Sequence, residues 1–142
     1  MLDSWTITDA DETWDFQVEV TNDESGMRPE QSGDVYNADT MAKIEGTEAA
    51  QWARDAVEAW ERDDWCFAVI SVTPVLKASD VTFGEARQVL GGCDWGWLPG
   101  GEDGKGVWTS DHDYAQEAWI NDMIIEAKGE AAKLLDKIKK SI

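Results

Sequence analysis

The residues best suited to chemistry are few, and none stands in a pattern that completes a site. His112 is the single histidine and lies between Asp111 and Asp113, but a zinc centre needs further ligands at recognised spacing and none follows. It reads as a surface residue at the start of a helix. Asp9, Asp11, Thr13 and Asp15 reproduce the first half of a calcium loop, in which alternate oxygens wrap a hard cation. Trp14, however, occupies the position where the sharp turn requires glycine, and Val20 that of the bidentate glutamate, so calcium binding is not expected. Gly100 to Gly106 supplies glycines and Lys105 without the spacing that cradles phosphates, and Glu102 and Asp103 within it repel an anion. Cys66 sits in an apolar run as a small hydrophobe. Cys93 follows Gly91 and Gly92 in an expected loop, with no neighbour to activate it. No G-x-S-x-G occurs, and 30 acidic residues offer too many carboxylate pairs for any one to mark acid-base catalysis. The expectation is a non-enzyme with no cofactor and no bound metal.

Charge is the stronger signal. The 142 residues hold 30 Asp plus Glu against 12 Lys plus Arg, a formal net charge of −18. Direct binding to DNA or RNA phosphates is excluded on that balance, because such affinity comes from Lys and Arg displacing counterions; an anionic membrane is excluded in the same way. Residues 1–64 hold 18 acids and 4 bases, a net −14, whereas residues 65–142 carry a net −4. A field concentrated in this way suggests a surface aimed at something basic. Its expected contributors are Asp11, Glu12, Asp15, Glu19, Asp55, Glu58, Asp63 and Asp64. Carboxylates two apart on a strand stand about 6 to 7 Å apart, and those three or four apart on a helix about 5 to 6 Å at their Cβ atoms. Such a row imitates nucleic-acid phosphates to a basic groove; a solvated acidic face is the plainer alternative.

The elements that must position these acids follow from periodicity. A length near 150 residues suits one domain, 1–142, and nine Trp with 42% hydrophobic residues provide a core. Trp14, Phe16, Val18 and Val20 alternate with polar residues, which predicts a strand with one wet face, paired with Trp5 to Thr8 through the Asp9 to Thr13 turn. Asn22 to Thr40 reads as a long irregular connection. Thr47 caps an expected helix with an apolar stripe of Ala49, Trp52, Ala53, Ala56 and Trp60, in which Glu58 and Arg62 form an i, i+4 pair. Asp63 and Asp64 end that helix against its dipole. Trp65 to Val75 is apolar on both alternations, as in a central strand, with the ladder ending or reaching an edge at Pro74 and a turn at Lys77 to Asp80. Val81 to Leu90 reads as a strand, with a short helix from the Thr82-x-x-Glu85 capping box as the alternative. Gly91 to Gly106 is a glycine-rich connection bearing Trp95 and Trp97. A long helix starts at Ser110 or Asp111, with acids at its positive end and Lys133, Lys137, Lys139 and Lys140 at its negative end. Its seam of Ile120, Ile124, Ala127, Ala131, Leu134 and Ile138 packs on the domain's own sheet or joins a homodimer. The predicted fold is α+β, a small antiparallel sheet of three to four strands packed against two helices, with a long C-terminal helix. With no basic, apolar leader at Met1 to Trp5 and no apolar run long enough for a membrane span, a soluble, cytoplasmic chain is expected.

The segment Ala59-Trp60-Glu61-Arg62-Asp63-Asp64-Trp65-Cys66-Phe67, running into Ala68 to Thr73, resembles small acidic proteins encoded by bacteriophages of actinobacteria. They share an AWxxDxWxF lead into a hydrophobic strand ending in Val-Thr, a small-residue strand, a Leu-Pro-Gly turn and a C-terminal helix with an acidic start. Trp97-Leu98-Pro99-Gly100 and Tyr114 to Ala127 fall where that pattern puts them, so the resemblance spans roughly residues 50–135 and departs at Val81 to Trp95. It brings no activity and no site residue, and implies a phage accessory protein acting in a bacterial host cytoplasm.

The leading expectation is a phage protein that binds and inhibits a basic host protein handling nucleic acid, such as a restriction, CRISPR or repair enzyme. One alternative is a sponge for a nucleotide signal, with a Trp-lined pocket served by Arg87, Lys77 or Lys105. The other is a phage structural or assembly protein, dimeric through the C-terminal helix.

Overall fold

The computed structural model describes residues 2–9, 13–100, 106–108 and 113–142. In chain order the elements are β1 (Asp3–Thr8), β2 (Trp14–Asn22), α1 (Pro29–Ser32), α2 (Ala38–Ile44), α3 (Thr47–Glu61), β3 (Trp65–Leu76), β4 (Val81–Thr82), β5 (Gln88–Leu98), β6 (Val107–Trp108) and α4 (Asp113–Lys140). Single 3-10 turns occupy Asp34–Tyr36 and Gly84–Ala86. The strands form one antiparallel sheet in the order β1-β2-β3-β5-β6, with β4 on β3.

This corrects the expected small sheet of three to four strands with two helices: among the described residues the sheet has six strands, and four α-helices are present. Two segments read as loops account for the difference. Gly91, Gly92 and Gly96 lie inside β5, and at Gly96 another backbone approaches closely, one of the places where a strand accepts glycine. Between Asn22 and Thr40, Pro29 opens α1 with its preset φ, and the Asn37 side chain accepts from Thr40 N to open α2. Neither helix is long enough to display an apolar period.

The chain divides into two compact units, Met1–Asn22 with Ala68–Cys93 and Asp113–Ile142, and Asp23–Phe67 with Asp94–His112. In the first, β1 and β2 pair from Asp3↔Val20 to Thr8↔Asp15, the expected opening hairpin. Trp14, Phe16, Val18 and Val20 are buried in alternation along β2. They sit opposite Leu76, Pro74, Val72 and Ile70 of β3, so the two strands share one apolar face. Pro74 does not stop the ladder: it pairs with Phe16, β3 continues to Leu76, and the Pro74 carbonyl still accepts from Phe83 N at 2.8 Å. Only its missing donor is lost. Val81 to Leu90 is neither the strand nor the helix expected, but two residues of β4, a 3-10 turn and the start of β5. Phe83 caps the core edge-on to Trp14, with ring centroids 5.0 Å apart. Helix α4, described from Asp113 onward, buries Met123, Ala127 and Ala131 and contacts the Gly84–Ala86 turn; the expected start at Ser110 or Asp111 lies outside the described residues. Ile120, Ile124 and Leu134 of the expected seam are half-buried and Ile138 is exposed.

The second unit is built on aromatic stacking. Tyr36, Ala56, Ala59, Trp65 and Leu98 form its core, with Trp52, Trp60 and Phe67 against it. Tyr36 stacks on Trp65 at 5.1 Å and on Trp52 at 5.7 Å, and its hydroxyl donates to Asp94 Oδ2 at 2.6 Å. Helix α3 turns Ala50, Ala53, Ala56 and Ala59 inward. Small side chains let the helix backbone approach the rings, and the Trp65 indole reaches the Ala56 carbonyl at 2.8 Å. Gly46, with φ 101°, precedes α3, so Thr47 is its first residue and not its cap. No helix among the described residues is long and apolar enough to cross a membrane.

Candidate acidic cleft

Helix α3 ends in a Schellman turn. Asp63 N donates to the Trp60 carbonyl and Asp64 N to the Ala59 carbonyl, at 3.0 and 2.9 Å, the pattern usually completed by a left-handed glycine. Asp63 takes that place with φ 63°, which a short polar side chain tolerates at some cost. This accounts for the two carboxylates at the negative end of the helix: one closes the turn, and the other is delivered to Arg62. Arg62 donates to Asp64 Oδ2 from Nε and Nη2 at 3.3 and 3.0 Å. The expected Glu58–Arg62 pair is therefore replaced, because the reversal at Asp63 brings a second carboxylate within reach.

The end of β5 lies beside this turn. Trp97 N donates to the Asp64 carbonyl at 2.8 Å. A Cβ on Gly96 would stand 2.4 Å from Asp64 O and 2.6 Å from Trp65 Cα, so only glycine permits the approach. The Trp52 indole donates to the Pro99 carbonyl at 3.0 Å, and Gly106 N to the Gly100 carbonyl at 2.9 Å. Trp97 sits opposite Trp108 on β6 and meets it edge-on at 5.3 Å, while 51% of Trp97 remains exposed.

Between these walls lies a cleft of about 350 Å³, lined by Asp55, Glu58, Ala59, Arg62, Asp64, Trp97, Leu98, Pro99, Gly100 and Gly106. Three acids and one base give it net negative charge beside an indole. Asp55 Oδ1 is held by Gln51 Nε2 at 2.9 Å and Asp64 by Arg62. Glu61 of the same helix is taken by Arg28, which also pairs with Glu30 and lies over the Trp60 ring at 5.1 Å. Burial pushes the Glu30 carboxyl up, but the Arg28 hydrogen bond, a bond from its own backbone and the Arg28 charge outweigh this and hold it below its usual range. No ion pair or side-chain hydrogen bond engages Glu58 among the described residues. The chain matches no protein-family model, no curated protein and no solved structure. Its chemistry is therefore read from geometry alone.

Of the eight acids singled out by charge, six lie among the described residues. Asp55, Glu58 and Asp64 share the cleft, and Asp63 shapes the turn beneath it. Asp15 and Glu19 belong to the first unit, half-buried on β2, which is an inner strand. Asp15 faces Lys77 Nζ at 3.8 Å, and Asp9 of the calcium-like run pairs with Lys128 at 2.7 Å. Glu19 lies between Ser4 and Ser71 in register. Asp11, Glu12, His112 and residues 101–105 lie outside the described residues. Among the described residues no three His, Cys, Asp or Glu converge as a metal site. Burial, with the Asp63 charge behind it, pushes the Cys66 thiol up and away from reactivity. Arg87 and Lys77 do not line the cleft, and its carboxylates repel an anionic nucleotide.

Sequence reasoning missed Trp97, Pro99 and the close approach at Gly96. The available signal was Trp95-Gly96-Trp97, a glycine between bulky residues, which in a strand marks contact with another backbone.

Proposed function

We propose that the chain is a non-enzymatic, phage-type accessory protein that binds a basic host protein handling nucleic acid, of the restriction, CRISPR or repair class, and inhibits it by occupying its nucleic-acid groove. The observation that carries this reading is the convergence of Asp55, Glu58 and Asp64 on one cleft whose backbone is fixed by helix α3 and the end of β5. Preset carboxylates at helical spacing present negative charge without the ordering cost that a flexible acidic tail incurs on binding. The net −18 adds a long-range field that speeds encounter with a cationic groove. Phage origin and the host cytoplasm rest on the resemblance of residues 50–135 described above.

The test is affinity capture from an actinobacterial host lysate at low and high salt, followed by competition of each retained protein against duplex DNA. The reading expects a DNA-binding protein retained at low salt, released as salt rises, displaced by DNA, and lost when Asp55 and Glu58 are both replaced by Lys. Retention that ignores salt and DNA, or that survives the double charge reversal, refutes it.

A further inference from the structure

The cleft combines features that a general acidic surface does not require. It is a concavity, at the small end of the roughly 300 to 1,000 Å³ typical of ligand pockets, and one wall is a half-exposed indole. Its acids differ in their engagement: Asp64 is neutralised by Arg62, Asp55 is oriented by Gln51, and Glu58 has neither kind of partner among the described residues. Ala59 and Pro99 contribute apolar surface to a lining that is otherwise largely polar. A carboxylate, an aromatic ring and some apolar surface lining one concavity match a cation that is planar, weakly hydrated and carried on an aliphatic stem. Arginine meets all three conditions, since its guanidinium pairs with carboxylates and stacks on rings, whereas the lysine ammonium is a compact, strongly hydrated charge.

We infer that the cleft formed by Asp55, Glu58, Trp97 and Pro99 seats an arginine side chain projecting from the basic partner, pairing it with the Glu58 carboxylate and stacking it on the Trp97 indole. This deepens the proposed function and rests on it in one respect, that the partner is a basic protein. Within that reading the cleft supplies selectivity, while the remaining acids supply attraction.

The test uses two short peptides, acetylated and amidated at their ends, identical except for arginine or lysine at one central position. Each is titrated against the full chain while indole fluorescence and indole N–H shifts are followed. The arginine peptide is expected to bind several-fold more tightly than the lysine peptide and to move the Trp97 signal. Glu58→Gln, which removes the charge at nearly constant side-chain volume, and Trp97→Leu, which removes the ring, should each weaken it about tenfold, the first with an unchanged unfolding midpoint and the second with cooperative unfolding retained. Equal affinity for the two peptides, or wild-type affinity in either variant, overturns the arginine seat. If a host protein is captured in a salt-dependent manner but both single variants retain it fully, the seat is wrong and the acidic-surface reading stands. If no basic protein is retained at low salt, the proposed function fails and the partner arginine falls with it.

Discussion

Arg62 gives both Nε and Nη2 to a single oxygen of Asp64, at 3.3 and 3.0 Å, and so reaches across Asp63 instead of back along the helix to Glu58. Both partners are largely exposed, so the pair is worth only about 0.2 to 1 kcal/mol. Arg62→Gln is expected to lower stability by no more than that, measured as a shift in denaturant midpoint. It should strengthen binding of a basic partner at low salt, because Asp64 then adds its charge to the cleft. Weaker binding in that variant would instead make Arg62 a direct contact.

Gly96→Ala probes the packing that forms the cleft. A Cβ there meets Asp64 O and Trp65 Cα at distances that only a backbone shift relieves, and φ is 130°. Steric overlap and left-handed strain together should cost on the order of 3 kcal/mol. Thermal unfolding should show the loss, and the Trp97 fluorescence of the surviving folded fraction should change. Near-native stability would mean that β5 does not lie against Asp64 in solution.

Tyr36 makes stability depend on alkaline pH. Burial, then the hydrogen bond to Asp94 and its charge, hold the phenol protonated well above its ordinary range. Its contribution is complete below the unfolded value near pH 10. Above that, the unfolded chain releases a proton that the folded chain retains, so stability falls by about 1.4 kcal/mol per pH unit from this group until the folded phenol ionises. Tyr36→Phe should remove this slope, and should cost about 1 to 3 kcal/mol at neutral pH because Asp94 loses its phenol donor. Denaturant titrations of both proteins across pH 8 to 11, taken as a difference, cancel the other alkaline groups; parallel curves would contradict the burial of Tyr36.

The two ends of the α4 seam should behave differently. Ala127 and Ala131 are fully buried, whereas Ile138 is 49% exposed. Ala127→Leu forces new volume into the first unit and should cost about 1 to 3 kcal/mol, while Ile138→Ala should stay within about 0.5 kcal/mol. If Ile138→Ala instead shifts a sedimentation profile toward a smaller species, the helix end joins a second copy of the chain.

The elements legible from sequence were those with a single dominant period. β2 could be read because burial on one face enforces alternation at Trp14, Phe16, Val18 and Val20, and α3 because its alanines and tryptophans recur at helical spacing. Tyr36 could not be placed, although it joins the second core, because it lies in a 3-10 turn among Gly, Asp and Asn residues with no period. The acids Asp55, Glu58 and Asp64 could be named from composition, but their meeting with Trp97 depends on a contact more than 30 residues away in sequence, made possible by one glycine. Asp15 could be named too, yet it lies near Lys77, which carries no marker of that distant pairing.

The interleaving of the two units bears on how the chain is made. The second unit needs the end of β5 and β6, and the first needs α4, so on a translating ribosome the second unit has all its parts only after residue 112 and the first only after α4 has emerged. At about 5 to 20 residues per second, that leaves the Trp-rich middle of the chain waiting seconds for its covering elements. The cleft lining runs from Asp55 to Gly106 and the unit that holds it from Asp23 to His112, so a reporter built on it must include that whole span, with everything the ribosome adds between its two segments.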